Sequence, residues 1–372
     1  MAPKPKFKVT NPAYDVNDSV LVHQCGAMLE IDDPDRTVRG LIALLDGSRT
    51  VEEIEQAFRE RHPGSDFDVR AAVTQFDEAG VIEDADAPTT LTPYELERFK
   101  RNLGFFETYA SLTANKYAMQ ERIKDCKVTL LGVGGVGSYV SLSLLGAGVR
   151  DLKVVDFDKV ELSNLNRQIL YSEADIGQPK IEAAVNRLQG YYADAKITGV
   201  EQRLTSVADI ENVITGRDFV FCAVDRPKMH VIQWVNEACV RAGVPFIGGG
   251  VELQRSVIYL VIPGVTGCTQ CWRLARADDE DTHILREQME ARHLENTGIG
   301  PDMAAFGPLV SVLNSLMVTD FVRFMTNIAP PIAAGRLIET RFDDMSTRQA
   351  EQWDRLPGCS VCGDIPPPSL AS

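Results

Sequence analysis

Apolar positions along this chain change their period as it proceeds. Residues 20–23 and 28–31 form two short extended stretches. Val38, Leu41, Ile42 and Leu45 then share one helical face that stops at Gly47. Thr50, followed three residues on by Glu53, is a capping box for a second helix. Val69, Val73 and Phe76 set a third helix that ends at Gly80. Residues 15–84 thus predict a small N-terminal winged-helix-like α+β domain. Residues 85–92, polar and containing Pro88, read as a linker, and residues 94–122 carry charged and aromatic side chains at helical spacing, suiting a segment that lies across another surface.

From Lys127 the pattern changes. Continuous apolar runs at 128–131, 152–155 and 219–223 predict buried strands, with helical patterns between them such as 136–145. Alternation of this kind predicts an α/β class with a doubly wound, mostly parallel, Rossmann-like sheet. After Pro245, residues 252–261 and 336–342 read as strands with no helix between neighbours, which predicts an antiparallel extension. Residues 303–325 form a long, largely apolar helix interrupted by Asp320 and Arg323, a buried or dimer-facing element rather than a membrane span. No internal repeat is present, and the one biased segment is the Pro-rich tail from Ile365. The expected division is 1–90, a helical linker at 91–126, and 127–372.

Length and composition narrow the function classes. A chain of 372 residues with 44% apolar and 24% charged side chains has the make-up of an ordinary globular protein. Neither a long uncharged apolar run nor a signal-peptide pattern opens it, so a cytoplasmic location and no membrane are expected. A net charge of −15 repels a phosphate backbone and argues against nucleic acid as a partner. In a reducing compartment the eight cysteines read as metal ligands or buried thiols rather than disulfides.

Candidate chemistry centres on Gly132-Val133-Gly134-Gly135-Val136-Gly137, which follows a strand and opens a helix. Glycines let the backbone turn tightly and approach a phosphate, and N–H groups at a helix start attract anions. Asp156 ends the next strand, where an acid can accept hydrogen bonds from a ribose. That much also fits an NAD-dependent dehydrogenase. Asp158, Asn164, Arg167 and Lys180 add a second acid, an amide and two cations within one loop and helix start, a set that points to a triphosphate and a metal. Lys180 follows Pro179 in a first helical turn, where its charge opposes the helix dipole; it is either placed for a ligand or simply solvated. Asp225, at the end of the strand at 219–224, is either a ligand or a helix cap before Pro227.

Val154-Val155-Asp156-Phe157-Asp158, Ser163-Asn164-Leu165-Asn166-Arg167-Gln168, Ile176-Gly177-Gln178-Pro179-Lys180 and Asp225, in this order, resemble the ThiF, MoeB and ubiquitin-activating-enzyme family over about residues 98–363. The resemblance implies an adenylyltransferase in which ATP lies over the glycine turn, with Asp156 on the ribose. It further implies that Asn164, Arg167, Gln168 and Lys180 hold the phosphates, and that Asp225, with Asp158, binds Mg2+. In relatives a partner subunit supplies an arginine from ahead of the glycine loop. Arg101, in Arg98-Phe99-Lys100-Arg101-Asn102, is the candidate here, although its distance from Gly132 exceeds the MoeB spacing. A homodimer follows from that arrangement.

Cys268-Thr269-Gln270-Cys271 and Cys359-Ser360-Val361-Cys362 are two knuckles that offer four thiolates, the donor set of structural Zn2+. Their placement matches the same family, where such a site pins the C-terminal tail; the other reading is two redox pairs. Cys25, Cys126, Cys222 and Cys239 read as ordinary apolar positions. Thioester-forming relatives carry a cysteine before the long late helix, and residues 277–303 contain none, which favours direct attack on the adenylate.

The N-terminal pattern, Leu41-Ile42-Ala43-Leu44-Leu45-Asp46-Gly47, Thr50-Val51-Glu52-Glu53-Ile54 and Gly80-Val81-Ile82-Glu83, resembles PqqD-like peptide-recognition domains; the other reading is an acidic winged helix used for dimer packing. Together the halves resemble MccB-like enzymes, which adenylate the C-terminus of a short ribosomally made precursor peptide in antibiotic biosynthesis. The alternatives are activation of a ubiquitin-like sulfur-carrier protein and a non-catalytic leader-peptide scaffold.

Overall fold

A computed structural model describes residues 2–24, 26–226, 228–276 and 305–366. The chain forms two compact units, Met1–Arg122 and Ile123–Ser372.

The first unit contains β1 (Pro5–Phe7), β2 (Ala13–Val16), β3 (Ser19–Gln24), β4 (Ala27–Asp32), α1 (Thr37–Ile42), α2 (Val51–Arg61), α3 (Val69–Glu78), β5 (Ile82–Asp84), α4 (Pro93–Arg98) and α5 (Lys100–Glu107); α6 (Lys116–Asp125) runs across its end. The expected capping box is formed: Glu53 N–H donates to Thr50 Oγ1 and Thr50 N–H to the Glu53 carboxylate. Val20, Val22, Leu41, Ile54, Phe58, Val73 and Phe76 make the core. β2, β3 and β4 form an antiparallel sheet, and β1 pairs β5. β1, β2 and β5 were not expected: β1 and β5 are three-residue strands, and every residue of β2 is exposed, so none shows a one-sided apolar alternation. A buried ionic knot joins the β/α part to the helices behind it, for Lys116 Nζ lies 2.8 Å from a carboxylate oxygen of Glu83 and of Glu107.

The second unit continues with β6 (Lys127–Leu131), α7 (Gly135–Ala147), β7 (Asp151–Asp156), α8 (Lys180–Tyr191), β8 (Lys196–Glu201), α9 (Val207–Ile214), β9 (Phe219–Cys222), α10 (Lys228–Ala242), β10 (Phe246–Glu252), β11 (Arg255–Val261), α11 (Thr269–Ala275), α12 (Gly307–Thr326), β12 (Arg336–Arg341) and β13 (Thr347–Gln352). The sheet order is β13-β12-β11-β10-β9-β6-β7-β8. Neighbours from β10 to β8 run parallel, and β11, β12 and β13 add an antiparallel flank. This is the mixed α/β, Rossmann-like architecture with its antiparallel extension.

Side chains alternate across β9. Val220 and Cys222 join Val235, Ala238 and Cys239 of α10, whereas Phe219 and Phe221 meet Phe321 of α12 edge to face, with ring centres 4.9 and 5.4 Å apart. α12 is long and apolar enough to cross a membrane, but half of its apolar window is buried. It packs on α7, β10 and β11 as a core helix. Its Asp320 carboxylate accepts the N–H groups of Ile332 and Ala333 at 2.7 and 2.9 Å.

Three strand boundaries differ from expectation. The stretch 252–261 is not one strand: Glu252 closes β10, Leu253 turns at φ +51°, and β11 begins at Arg255. β10 carries Gly248-Gly249-Gly250, and glycine gives no strand signal. β9 ends at Cys222, so Asp225 lies beyond the ladder rather than at its last residue. Met303 and Ala304 of the long-helix expectation, Cys25, Pro227 and the cysteine-free stretch 277–303 lie outside the described residues.

Candidate active site

The glycine turn is built by two kinds of glycine. Gly132 has φ +89° and donates its N–H to Val155 O at 2.8 Å; a Cβ there would come within 2.7 Å of Ala223 O. A Cβ on Gly137 would collide with Gly132 O. These two are required by the chain's own backbone. Gly134 and Gly135 are different, because a Cβ on either would meet only side chains, Gln168 Nε2 at 3.7 Å and Arg167 Cδ at 3.5 Å. Among the described residues no side chain caps the α7 N-terminus at Gly134. Bare glycines there leave the first N–H groups of a 13-residue helix open to an anion.

Asp156 organises the turn from the end of β7. It is buried, and its carboxylate accepts the Val133 N–H at 2.8 Å, the Phe157 N–H at 2.8 Å and the Asp158 N–H at 2.9 Å. Tyr171 donates its hydroxyl to Val133 O at 2.8 Å, so Val133 is held at both ends of its peptide units. Burial, reinforced by the Asp156 charge, raises the Tyr171 phenol, which stays protonated as a donor. Sequence reasoning missed Tyr171, and nothing local distinguishes it, since its role arises from the approach of two distant segments.

The residues after β7 return to the same turn. Arg167 runs along Gly135 while its guanidinium donates to Ser163 O at 3.0 Å and Asn166 Oδ1 at 2.8 Å. Gln168 is buried beside Gly134, and its Oε1 has no partner among the described residues. Asn164 is buried and accepts the Glu161 N–H at 3.1 Å. Pro179 is the N-cap of α8 and Lys180 its first helical residue. Lys180 is not solvated: it is 5% exposed, and its Nζ lies 3.2 Å from Asp158 Oδ2. The Asp158 side chain is half exposed. Asp225 is exposed, three residues past Cys222, and the preceding Ala223 O and Val224 Cγ1 are the atoms that press on Gly132.

Arg167, Gln168, the Lys180–Asp158 pair and the chain leading to Asp225 therefore all meet around the glycine turn, at the carboxyl edge of the parallel strands, where open α/β sheets bind ligands. Arg101 belongs to the first unit, exposed on α5. Two carboxylates at the edge are hard oxygen donors that fit Mg2+.

The second site lies at the sheet's far flank. Cys268, Cys271, Cys359 and Cys362 are buried, with all Sγ atoms within 4.8 Å of one another. Sγ–Sγ separations include 3.3 Å for Cys271 and Cys362 and 3.7 Å for Cys268 and Cys359. A tetrahedron with Zn–S of about 2.3 Å has edges of about 3.8 Å, so the cluster fits zinc. Leu356 N–H donates to Cys271 Sγ at 3.4 Å, and Arg355 donates to Cys362 O at 2.7 Å. Cys126 and Cys222 are ordinary buried thiols, each pushed up to about 12 by burial.

The ThiF family model matches residues 105–361. The sulfur carrier protein ThiS adenylyltransferase of Escherichia coli strain K12 is 32% identical over 251 residues, 66% of this chain and 88% of the relative. The molybdopterin-synthase adenylyltransferase of Salmonella typhimurium strain LT2 is 31% identical over 246 residues, 66% of this chain and 90% of the relative. Among solved structures, E. coli MccB in complex with AMPCPP and MccA superposes with a TM-score of 0.76 at 23% identity, covering 96% of this chain and 99% of MccB, a likeness of fold.

Proposed function

Because the chain belongs to the ThiF family, whose adenylyltransferases activate a carboxylate with ATP, we propose that its substrate is the C-terminus of a short ribosomally made peptide. The cations and buried amide around the bare helix start carry this reading, since they suit a triphosphate better than a nicotinamide cofactor. The choice of peptide is supported by the likeness of fold to MccB, which extends over 96% of this chain, N-terminal unit included.

In this reading Asp156 accepts from the ribose hydroxyls while keeping the turn in shape. The α7 N–H groups, Asn164, Arg167, Gln168 and Lys180 bind the phosphates. Arg101 reaches the site from a second copy of the chain, making the enzyme a homodimer. Asp225, with Asp158, would hold Mg2+, which when bound neutralises charge on the phosphates. A substrate carboxylate oxygen attacks the α-phosphorus, the bond to the bridging oxygen breaks, and pyrophosphate leaves with the electron pair. No proton is transferred, so fixed positive charge rather than a base is what the chemistry requires. Zinc at the four cysteines is structural, remote in sequence from the glycine turn. Residues 15–84 hold the peptide while its tail meets ATP near Gly248–Gly250.

Pyrophosphate exchange across candidate peptides tests the reading. Peptide-dependent exchange that Asp225→Ala abolishes supports it. Exchange only with a ubiquitin-like carrier ending in Gly-Gly favours the second reading, sulfur-carrier activation, for which the 32% identical relative speaks.

A further inference from the structure

The four cysteines and the glycine turn are far apart in sequence but share one core. Cys268, Cys271, Cys359 and Cys362 belong to the same buried cluster as Leu131, the last residue of β6, and Cys222, the last of β9. Gly132 follows the first, and the segment to Asp225 follows the second. Val235, Ala238 and Cys239 of α10 are members of that cluster too.

α10 has a second and more specific tie to the knuckle at 268–271. Asn236 is 1% exposed, and its Oδ1 accepts the Thr269 N–H at 3.0 Å in a buried hydrogen bond. Its amide also hydrogen-bonds the Cys268 side chain. One side chain therefore holds both the main chain and a sulfur of the knuckle, which is how outer residues fix the ligands of a metal. A buried amide is costly unless its groups are bonded, and here the bonds go to the knuckle, while the neighbouring buried positions of α10 are apolar. At its other end α10 begins at Lys228, three residues after Asp225. Asn236 lies about 12 Å further along the helix axis. A helix is rigid over that span and passes a displacement on rather than absorbing it.

We propose that Asn236 and α10 couple zinc at the four cysteines to nucleotide at the glycine turn. Asn236 is a positioning residue: it holds the knuckle on the helix that continues from the Asp225 segment, so zinc steadies the Mg2+ end of the site. Coupling is reciprocal, so ATP with Mg2+ must in turn tighten the hold on zinc. This goes beyond the structural role given to zinc above and rests on the nucleotide reading.

The experiment uses the full zinc-loaded chain and follows transfer of zinc to a nitrogen-donor chelator, with and without saturating ATP and Mg2+. Nitrogen donors take zinc and leave magnesium in solution. In the wild-type chain ATP with Mg2+ is expected to slow zinc transfer at least about fivefold. Asn236→Ala is expected to release zinc about tenfold faster, to keep its thermal stabilisation by saturating ATP with Mg2+, and to lose the slowing. If Asn236→Ala does not fold, Asn236→Asp takes its place with the same expected readout, since it still accepts from Thr269 but no longer donates to Cys268.

Stabilisation of the whole fold by ATP would slow zinc transfer in wild type and variant alike. Slowing that persists in the variant therefore overturns the coupling, as does a wild-type transfer rate that ATP leaves unchanged while raising the melting midpoint. In either case the nucleotide reading stands. If ATP with Mg2+ neither shifts the midpoint nor slows zinc transfer, the nucleotide reading fails first and the coupling with it.

Discussion

The Asp156 carboxylate accepts the Val133 main-chain N–H at 2.8 Å, which ties the end of β7 to the middle of the glycine turn. Its two oxygens serve three N–H donors, so an amide cannot replace it: one NH2 would face a donor. Asp156→Asn is expected to destabilise the second unit by about 1–3 kcal/mol, the penalty for a buried donor without a partner. It should also lose its thermal response to ATP with Mg2+. Thermal denaturation with and without nucleotide checks both, and an unchanged midpoint and response would remove Asp156 from the site.

The two kinds of glycine separate folding from binding. Gly137→Ala drives a methyl into Gly132 O and should yield little folded protein, whereas Gly134→Ala meets only Gln168 Nε2 at 3.7 Å and should fold. The same methyl covers the start of α7, so Gly134→Ala is expected to weaken ATP at least about tenfold with a midpoint close to wild type. Calorimetric titration of ATP into the variant tests this; wild-type affinity would mean that the phosphates lie elsewhere.

What was legible in the sequence was local. Thr50 and Glu53 cap within four residues, Gly132 to Gly137 turn within six, and each cysteine pair spans a single turn, so spacing alone predicts the geometry. What was not legible depends on partners far along the chain. Tyr171 matters through the segment it meets, at Val133. β10 is hidden because Gly248–Gly250 contribute no apolar signal, and β13 because an exposed, polar edge strand shows no alternation. The end of β9 is set by its ladder with Leu131 and Gly248, which is why Asp225 falls outside the strand.

Zinc is expected at about one per chain by elemental analysis, from the four buried thiols and their near-tetrahedral spacing. The cluster joins the knuckle at 268–271 to that at 359–362, so its loss frees the chain after Trp353. Cys271→Ser, or prolonged chelation, should lower the melting midpoint and open a new cleavage site between Trp353 and Cys362 to limited proteolysis. Metal-free protein with an unchanged midpoint would contradict a structural role.

Asp151 and Arg217 give the second unit an acid limit. The Arg217 guanidinium lies 2.7 Å from Asp151 Oδ1 and also donates to Asp151 O at 2.9 Å and Val128 O at 2.6 Å, with 7% of its side chain exposed. Burial alone would raise the Asp151 carboxyl, but hydrogen bonds from Arg217 and Lys196 outweigh it and hold the group below its ordinary 3.8. A depressed carboxylate contributes its full stability above the unfolded value and loses it as pH falls through the folded one. Asp151→Asn should therefore be less stable than wild type at pH 6, and the gap should close progressively below about pH 4. Arg217→Ala strands a partly buried carboxylate and should lose more, about 3 kcal/mol at pH 6. Urea midpoints measured from pH 6 down to pH 3 read both curves; an Asp151→Asn gap that stays constant as pH falls would show that Asp151 does not titrate with unfolding.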